Sequence, residues 1–175
     1  MKKKIISLSI LLSLSVMLLS HSVTVEAATE KGPYPTRRGV IMVTPDKYKN
    51  LIPTGHAAIV WDKNYVIESV SKGVVKGKNN WKSTKSKIYG VTVKSTTTAQ
   101  DRTAALWCKK QIGKKYNFNY LDVKTRKRFY CSQLVWASYK DNLNIDLNTS
   151  SYGVAVHPME LVYSNKTVTQ YTYSK

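Results

Sequence analysis

The chain has 175 residues, of which 28 are basic and ten acidic, giving a formal net charge of +18 at pH 7. A fold does not need that much positive charge. The charge therefore indicates anionic binding partners or a location close to anionic polymers or lipids. On charge alone, nucleic acid would be a possible partner. However, the sequence has no helix-turn-helix, RNP-type or zinc-finger pattern, so specific nucleic-acid binding is not expected.

Residues 1–27 are predicted to be a secretory signal peptide. Three lysines at 2–4 form a basic start, residues 5–19 are apolar apart from serines, and Val25-Glu26-Ala27 resembles a cleavage site before Ala28. A retained membrane anchor is the alternative, but the apolar run is short for a membrane span. The protein is therefore expected to be secreted and to be extracellular or associated with the cell wall.

The remaining residues, 28–175, are predicted to form one domain that is long enough to bury a core. They carry 25 basic and nine acidic side chains, a net charge of +16. Outside a cell, anionic wall polymers and lipid head groups are the polyanions that such a surface would meet. A solvated lysine-rich surface without a dedicated partner is the alternative. The sequence shows no internal repeat, and we expect a monomer.

The predicted domain contains both strands and helices, with most of the strands before the first helix. Residues 28–38 are polar, contain two prolines and are expected to form a loose leader. Strands are predicted at 39–43, 55–61, 65–70, 73–75, 88–94 and 167–173. One helix is expected near Thr98, with a capping box to Asp101, and a second at Cys131–Asn142. With a short turn at 158–162, these elements make an α+β domain.

The two cysteines are expected to differ in role. Cys108 lies in an apolar helical stretch, where a free cysteine behaves as a small core side chain. Cys131 opens the second predicted helix, whose first N–H groups and dipole favour the reactive thiolate. We therefore interpret Cys108 as structural and Cys131 as a nucleophile. A disulfide between them would contradict this hypothesis.

A cysteine nucleophile usually needs an imidazole, and the predicted mature chain contains only His56 and His157. His56 begins a predicted strand, and Glu68 lies in the next one. If residues 62–64 form a three-residue hairpin loop, Ala58 pairs with Glu68, and His56 shares a face with both. A two-residue loop would put His56 and Glu68 on opposite faces.

These residues supply the parts of a catalytic triad. Glu68 would orient His56, and His56 would take the proton of Cys131 and return it to the leaving group. The backbone N–H of Cys131 is the expected oxyanion donor, because it lies at a helix start. Tyr130 and Tyr34 are weaker candidates for a second donor or a substrate contact.

Each of these residues also has an ordinary interpretation. The histidine could be a core or surface residue, the glutamate a solvated strand residue, and the cysteine a buried helix residue. His157 precedes Pro158 and is expected to cap a turn, with a contact to substrate as the alternative. No close spacing of cysteine, histidine and carboxylate residues indicates a metal site, and no cofactor is expected.

The order of these motifs resembles the circularly permuted branch of NlpC-type cysteine peptidases, in particular the YiiX/YaeF-like group. Histidine precedes cysteine here, as in that branch. The matching segments are Gly39–Ile41, Gly55–Val60, Val66–Ser69, Ile112–Asn117, Tyr130–Trp136 and Pro158–Leu161. The sequence departs from the group at Val40, where an aspartate often follows the glycine.

The resemblance implies a permuted papain-like fold, in which a small antiparallel sheet packs on the helix that carries Cys131. It implies hydrolysis of amide bonds, often in cell-wall peptides such as peptidoglycan. It also assigns catalysis to Cys131, His56 and Glu68, although relatives vary at the third position. Permuted relatives include lipid acyltransferases and thioesterases, so a lipid ester or thioester is an alternative substrate. A non-enzymatic cationic protein that binds the wall or a membrane is the third interpretation.

Overall fold

A computed structural model of the protein describes residues 27–47 and 55–175. The predicted signal peptide lies outside the described residues, apart from Ala27. Within the described ranges, no helix combines the length and the apolar character needed to cross a membrane.

The described residues form strands and helices in an α+β arrangement. The strands are β1 (Thr29–Lys31), β2 (Ile41–Thr44), β3 (His56–Val60), β4 (Tyr65–Val70), β5 (Gly73–Lys78), β6 (Lys87–Val93), β7 (Lys115–Tyr116), β8 (Arg128–Phe129) and β9 (Thr167–Ser174). The helices are α1 (Trp81–Thr84), α2 (Thr98–Lys110), α3 (Cys131–Leu143) and α4 (Glu160–Tyr163). Seven strands make one antiparallel sheet in the order β1-β9-β6-β2-β3-β4-β5, and β7 and β8 form a parallel pair.

The central strands are buried on both faces. Ile41 and Ile59 face the core layer that contains α2 and α3. Met42 and Val60, on the same two strands, face a second layer that contains Trp81. Because every residue of β2 and β3 is buried, these strands read as continuous apolar runs rather than as alternating patterns.

The predicted loose leader is wrong in part, because β1 is an edge strand. It pairs with β9, so that Thr29 lies opposite Ser174 and Lys31 opposite Thr172. Its backbone partners come from the far end of the chain, and local composition carries no signal of such pairing. The large sheet therefore holds seven strands, more than the small sheet that the family resemblance implied.

The cap predicted for α2 is displaced by one residue. Thr97, rather than Thr98, is the N-cap, and its backbone N–H donates to Gln100 Oε1 at 2.8 Å while its hydroxyl accepts from Gln100 N–H. Asp101 is buried and binds Arg37 at 2.9 Å. The capping box therefore uses Gln100 in place of Asp101, whose buried carboxylate is paired with Arg37.

Candidate active site

Cys131 is the first residue of α3, and only Tyr130 separates it from β8. Residues 131–139 are all buried, because this helix packs between the sheet and α2. The backbone N–H of Tyr130 donates to Gln133 Oε1 at 3.2 Å, which closes the chain into the first turn. The first-turn N–H groups have no acceptor within a helix, and they favour negative charge at this sulfur.

The β3–β4 hairpin delivers His56 and Glu68 together. Trp61 N–H donates to Tyr65 O at 2.9 Å, and Ala58 lies opposite Glu68. This is the register predicted for a three-residue loop, and that prediction is confirmed. His56 and Glu68 share a face, and His56 Nε2 lies 2.6 Å from Glu68 Oε2.

The pairing of β3 with β4 ends next to Cys131. The ladder ends at Ala58, and beyond it the Ala57 N–H donates to the Cys131 sulfur. The hydroxyl of Ser69 donates to Phe129 O at 2.6 Å, which ties β4 to the residues before α3. The start of α3 thus takes the place of the β-ladder pair that would follow Ala58. In this way Cys131, a helix residue, contacts β3, the strand that carries His56.

Cys131 and His56 are buried and hydrogen-bonded to each other. Because His56 Nε2 is bound to Glu68, Nδ1 is the ring nitrogen left for the sulfur. Burial of His56 opposes its protonation, but the bonds and charges of Cys131 and Glu68 outweigh burial and raise the pKa of His56 to about 9. Burial also opposes the thiolate, yet His56 and the Ala57 N–H lower the pKa of Cys131. Both shifts favour a thiolate and an imidazolium over a neutral thiol and imidazole.

Cys108 provides the contrast. Both cysteines are free, so the disulfide that would have contradicted the nucleophile hypothesis is not formed. Cys108 is fully buried, and its sulfur lies 3.7 Å from Leu134 O. Burial raises the pKa of Cys108 to about 12, because no cation compensates the lost hydration of its thiolate.

Three tyrosines lie around Cys131, the candidate nucleophile. Burial, together with the charge of Cys131, raises the pKa of Tyr116 above its ordinary range and that of Tyr130 to about 12. Tyr120 is hydrogen-bonded to Tyr116 and packs edge-on against Tyr130 with ring centroids 5.4 Å apart. Sequence reasoning missed Tyr116 and Tyr120 as site residues, although Tyr116 belongs to the Ile112–Asn117 segment that resembles the family.

Tyr34 lies on the histidine side of the site. Its hydroxyl donates to Asn79 Oδ1 at 2.9 Å and accepts from Trp81 N–H at 3.0 Å. The Trp81 ring covers His56 with centroids 5.6 Å apart. Tyr34 therefore holds the start of α1, a helix that the sequence did not predict, over the imidazole.

Tyr130 and His157 hold the segment that follows α3. The Tyr130 hydroxyl accepts from Val156 N–H at 2.9 Å. His157 Nδ1 accepts from Met159 N–H at 3.1 Å, and its ring stacks on Tyr152 with centroids 4.1 Å apart. The geometry at His157 is that of a turn cap.

A cavity of about 350 Å³ opens beside His56 and Glu68. Its other lining residues are Lys47, Lys78, Asn80, Trp81, Thr84 and Lys85. Three lysines thus surround the one carboxylate of the lining, and the cavity is positively charged.

Gly77 on β5 makes room for the Glu68 carboxylate. A Cβ at position 77 would overlap Glu68 Oε1 and lie 2.8 Å from Glu68 Cδ. A glycine inside a strand often marks such a close approach, so the sequence did carry a signal for this residue. We expect Gly77→Ala to displace the carboxylate from His56 and to lower kcat/KM by about 10- to 100-fold.

The matched control for Gly77→Ala is Lys76→Ala, the neighbouring position on the same strand. Because Glu68 helps to raise the pKa of His56, the alkaline limb of the pH–rate profile should also move to lower pH in Gly77→Ala alone. A lower melting temperature with an unchanged pH profile would contradict a positioning role.

The fold is similar to that of a solved structure, the metalloprotein YiiX from Escherichia coli O157:H7. The TM-score is 0.58, with 19% identity, and the match covers 77% of this chain and 96% of that chain. The chain is also 27% identical over 119 residues to the uncharacterized protein YycO of Bacillus subtilis (strain 168). That match covers 66% of this chain and 48% of YycO, so the chain spans about half the length of this curated relative.

The description of YiiX as a metalloprotein raises the question of a metal here. Among residues 27–47 and 55–175, no three His, Cys, Asp or Glu side chains are grouped so that they could hold a metal ion. Cys131, His56 and Glu68 form a hydrogen-bonded chain, in which the imidazole lies between the sulfur and the carboxylate. These described residues do not fit a metal centre.

The family of permuted papain-like amidase enzymes, YaeF/YiiX, C92, matches residues 40–166. This range contains His56, Glu68 and Cys131. The resemblance predicted from the sequence motifs is confirmed, and so is the permuted papain-like fold class. The chain belongs to the permuted papain-like amidase family YaeF/YiiX, C92, which is a family of cysteine peptidases and amidases.

Proposed function

We propose that this chain is a secreted cysteine amidase that cleaves amide bonds in cell-wall peptides, with Cys131, His56 and Glu68 as catalytic residues. One observation carries the proposal. The buried Cys131 sulfur is hydrogen-bonded to His56, and the opposite ring nitrogen, His56 Nε2, lies 2.6 Å from Glu68 Oε2. A buried ion pair contributes little net stability, so its presence supports a role in chemistry rather than in folding.

The acylation step follows from the charge state of the pair. The Cys131 thiolate attacks the amide carbonyl carbon and forms a C–S bond, and the carbonyl π electrons move to oxygen. When the tetrahedral intermediate collapses, the C–N bond breaks and His56 gives its proton to the departing amine. The products of this step are a thioester on Cys131 and a neutral imidazole.

Deacylation reverses the role of the histidine. Neutral His56 takes a proton from a water molecule as its oxygen attacks the thioester carbonyl carbon. Collapse breaks the C–S bond, releases a carboxylic acid and restores the thiolate beside the imidazolium. Glu68 accepts a hydrogen bond from Nε2 throughout, which fixes the ring orientation and stabilises its charged form.

The oxyanion is assigned to the start of α3. The Cys131 N–H is a first-turn donor, and the helix dipole adds favourable charge at the same point. The Tyr116 and Tyr120 hydroxyls are the candidates for the second donor, because Tyr116 is close enough to respond to the sulfur charge and is hydrogen-bonded to Tyr120.

Charge supports an anionic peptide as substrate. The three lysines of the cavity beside Glu68 favour a carboxylate on the substrate, and residues 28–175 carry a net charge of +16. Cell-wall peptides bear free carboxylates close to their amide bonds. Retention by anionic wall polymers would use the same charge.

The test of the proposed function is the rate of alkylation by iodoacetamide as a function of pH, with Cys131 and Cys108 mapped separately by mass spectrometry. We expect Cys131 to react with a midpoint below the ordinary thiol pKa of about 8.5, because His56 stabilises its thiolate. Cys108 should stay unreactive up to high pH, because burial raises its pKa.

In His56→Ala the midpoint for Cys131 should rise above the ordinary value, since burial then acts without a compensating cation. A Cys131 that alkylates like an ordinary thiol, or that is indifferent to His56→Ala, would remove the basis for a hydrolase. The third interpretation, a non-enzymatic cationic binding protein, would then be favoured.

A lipid ester or thioester is the second candidate substrate. Exposed apolar side chains on the two segments beside the nucleophile favour it, among them Phe118 and Val154. The same attack by Cys131 on an ester carbonyl would release an alcohol in place of an amine. Turnover of acyl lipids without turnover of wall peptides would decide for this candidate.

A further inference from the structure

Two loops flank the nucleophile, and both are fastened to the first residues of α3. Loop A is residues 117–127, between β7 and β8. Loop B is residues 148–157, before α4. Together they expose four of the five most exposed large apolar side chains of the described residues: Leu121 at 70%, Phe118 at 61%, Val154 at 59% and Tyr152 at 53%. We call these four side chains the apolar rim.

Buried amides fasten loop A to α3. Asn117 donates to Gln133 Oε1 at 3.0 Å, and the Gln133 side-chain amide donates to Asp122 O at 3.1 Å and to Thr125 O at 3.3 Å. Pairing of β7 with β8 closes the two ends of the loop. Phe118 and Leu121 therefore project from a loop held rigidly at both ends and in its middle.

Loop B is fastened to the residues on either side of Cys131. The Ser132 hydroxyl donates to Val156 O at 2.7 Å, and Val156 N–H donates to the Tyr130 hydroxyl at 2.9 Å. Glu160 is buried and accepts from the Thr149 hydroxyl at 2.6 Å. These bonds hold loop B against the start of α3 and against α4, while Tyr152 and Val154 are exposed.

Loop A and the residues that flank it carry the charge that identifies the partner. The stretch 114–128 contains six basic residues and one acidic residue, a net charge of +5. Lys115, Lys124, Lys127 and Arg128 are exposed. Apolar tips ringed by cations are the signature of a surface that inserts shallowly into a bilayer while its lysines contact anionic head groups. Phe118 and Tyr152 add the aromatic character typical of the lipid–water interface.

We propose that the apolar rim and the exposed cations of residues 114–128 form a docking surface for an anionic lipid bilayer, which places the Cys131 site against the membrane. An apolar protein partner would not require the surrounding cations, and a wall polymer would not require the apolar tips. Docking does not depend on the chemistry of Cys131, so it goes beyond the proposed function and can fail independently of it.

The test is co-sedimentation of the purified protein with vesicles of phosphatidylcholine alone and of phosphatidylcholine mixed with phosphatidylglycerol. We expect binding to the mixed vesicles that weakens in high salt, and little binding to phosphatidylcholine. Phe118→Ser with Leu121→Ser should weaken binding by about tenfold or more. The matched control is Leu106→Ser with Val168→Ser, which changes two exposed apolar residues outside the loops.

Charge is tested separately with Lys124→Gln and Lys127→Gln, each of which should weaken binding by about fivefold. The matched controls are Lys63→Gln and Lys175→Gln, exposed lysines outside loop A. Cys131→Ala should bind as the unchanged protein does, which separates docking from catalysis.

Equal losses of vesicle binding in the lysine variants and in their lysine controls would mean general cationic adsorption and would overturn the proposal. Equal losses in the apolar variant and in its apolar control would also overturn it. Binding to isolated cell walls but not to vesicles would also overturn it. Circular dichroism melting of each variant confirms that a loss of binding does not come from unfolding.

Discussion

Cys131→Ala is expected to abolish turnover of peptidoglycan fragments, with a loss of at least about 10³-fold in kcat/KM. The reason is that the substitution removes the only thiol whose anion is stabilised by an imidazole and a strand N–H. The measurement is chromatography with mass spectrometry, following the new amine and carboxylate ends that amide cleavage creates.

The chain offers a matched control in its second cysteine. Cys108→Ala removes the same sulfur atom from a fully buried position that has no cationic partner. We expect a stability loss of about 1 kcal/mol from the small cavity and unchanged turnover below the melting temperature. Equal activity of Cys131→Ala and the unchanged protein would reject the assignment of Cys131 as nucleophile.

His56→Ala is expected to reduce kcat/KM by at least about 10³-fold, for two reasons. The Cys131 thiol loses the charge that lowers its pKa, and the leaving amine loses its proton donor. His157→Ala is the matched control, since it removes the other histidine of residues 28–175, and we expect it to weaken the turn at Met159 without a comparable loss of rate.

The pH–rate profile gives an independent readout of the same pair. The active form needs a charged His56, whose pKa is raised to about 9. Turnover by the unchanged protein should therefore hold through neutral pH and fall as the pH rises through about 9. It should also fall in acid, as the Cys131 thiolate takes up a proton. An alkaline limb near the ordinary pKa of histidine would contradict the hydrogen-bonded pair of Cys131 and His56.

Much of the site follows from local sequence. Turn residues at 62–64 fix the hairpin register, and side-chain alternation then places His56 and Glu68 on one face. The apolar stripe formed by Leu134, Val135 and Ala137–Tyr139 predicts a helix that begins near Cys131. These inferences depend on neighbours within a few residues, so they could be made without the fold.

Other parts of the site depend on contacts between distant segments. Tyr34 and Trp81 both lie far from His56 in sequence, and α1 is only four residues long. Tyr116 lies close enough to Cys131 to respond to its charge, because the buried Asn117–Gln133 hydrogen bond holds loop A against α3. Neither segment has a periodic pattern that would indicate its destination.

The leader and the α2 cap show the same limit. Thr29–Lys31 has the composition of a loop, and it becomes a strand because β9 offers its edge. Asp101 fits the local pattern of a capping box, but a buried ion pair with Arg37 outweighs that use. Local propensity is a fraction of a kcal/mol per residue, and long-range pairing and burial override it.

The sequence by itself determined the family resemblance, the hairpin that aligns His56 with Glu68, and the choice of Cys131, His56 and Glu68 as the candidate catalytic residues. Only the tertiary structure decided that the β3–β4 ladder opens at Ala58, so that the Ala57 N–H and His56 both meet the Cys131 sulfur. The physical reason is that side-chain direction along one strand is set by local geometry. The pKa of a buried thiol, in contrast, is set by whichever charges and N–H groups the packed chain brings to it.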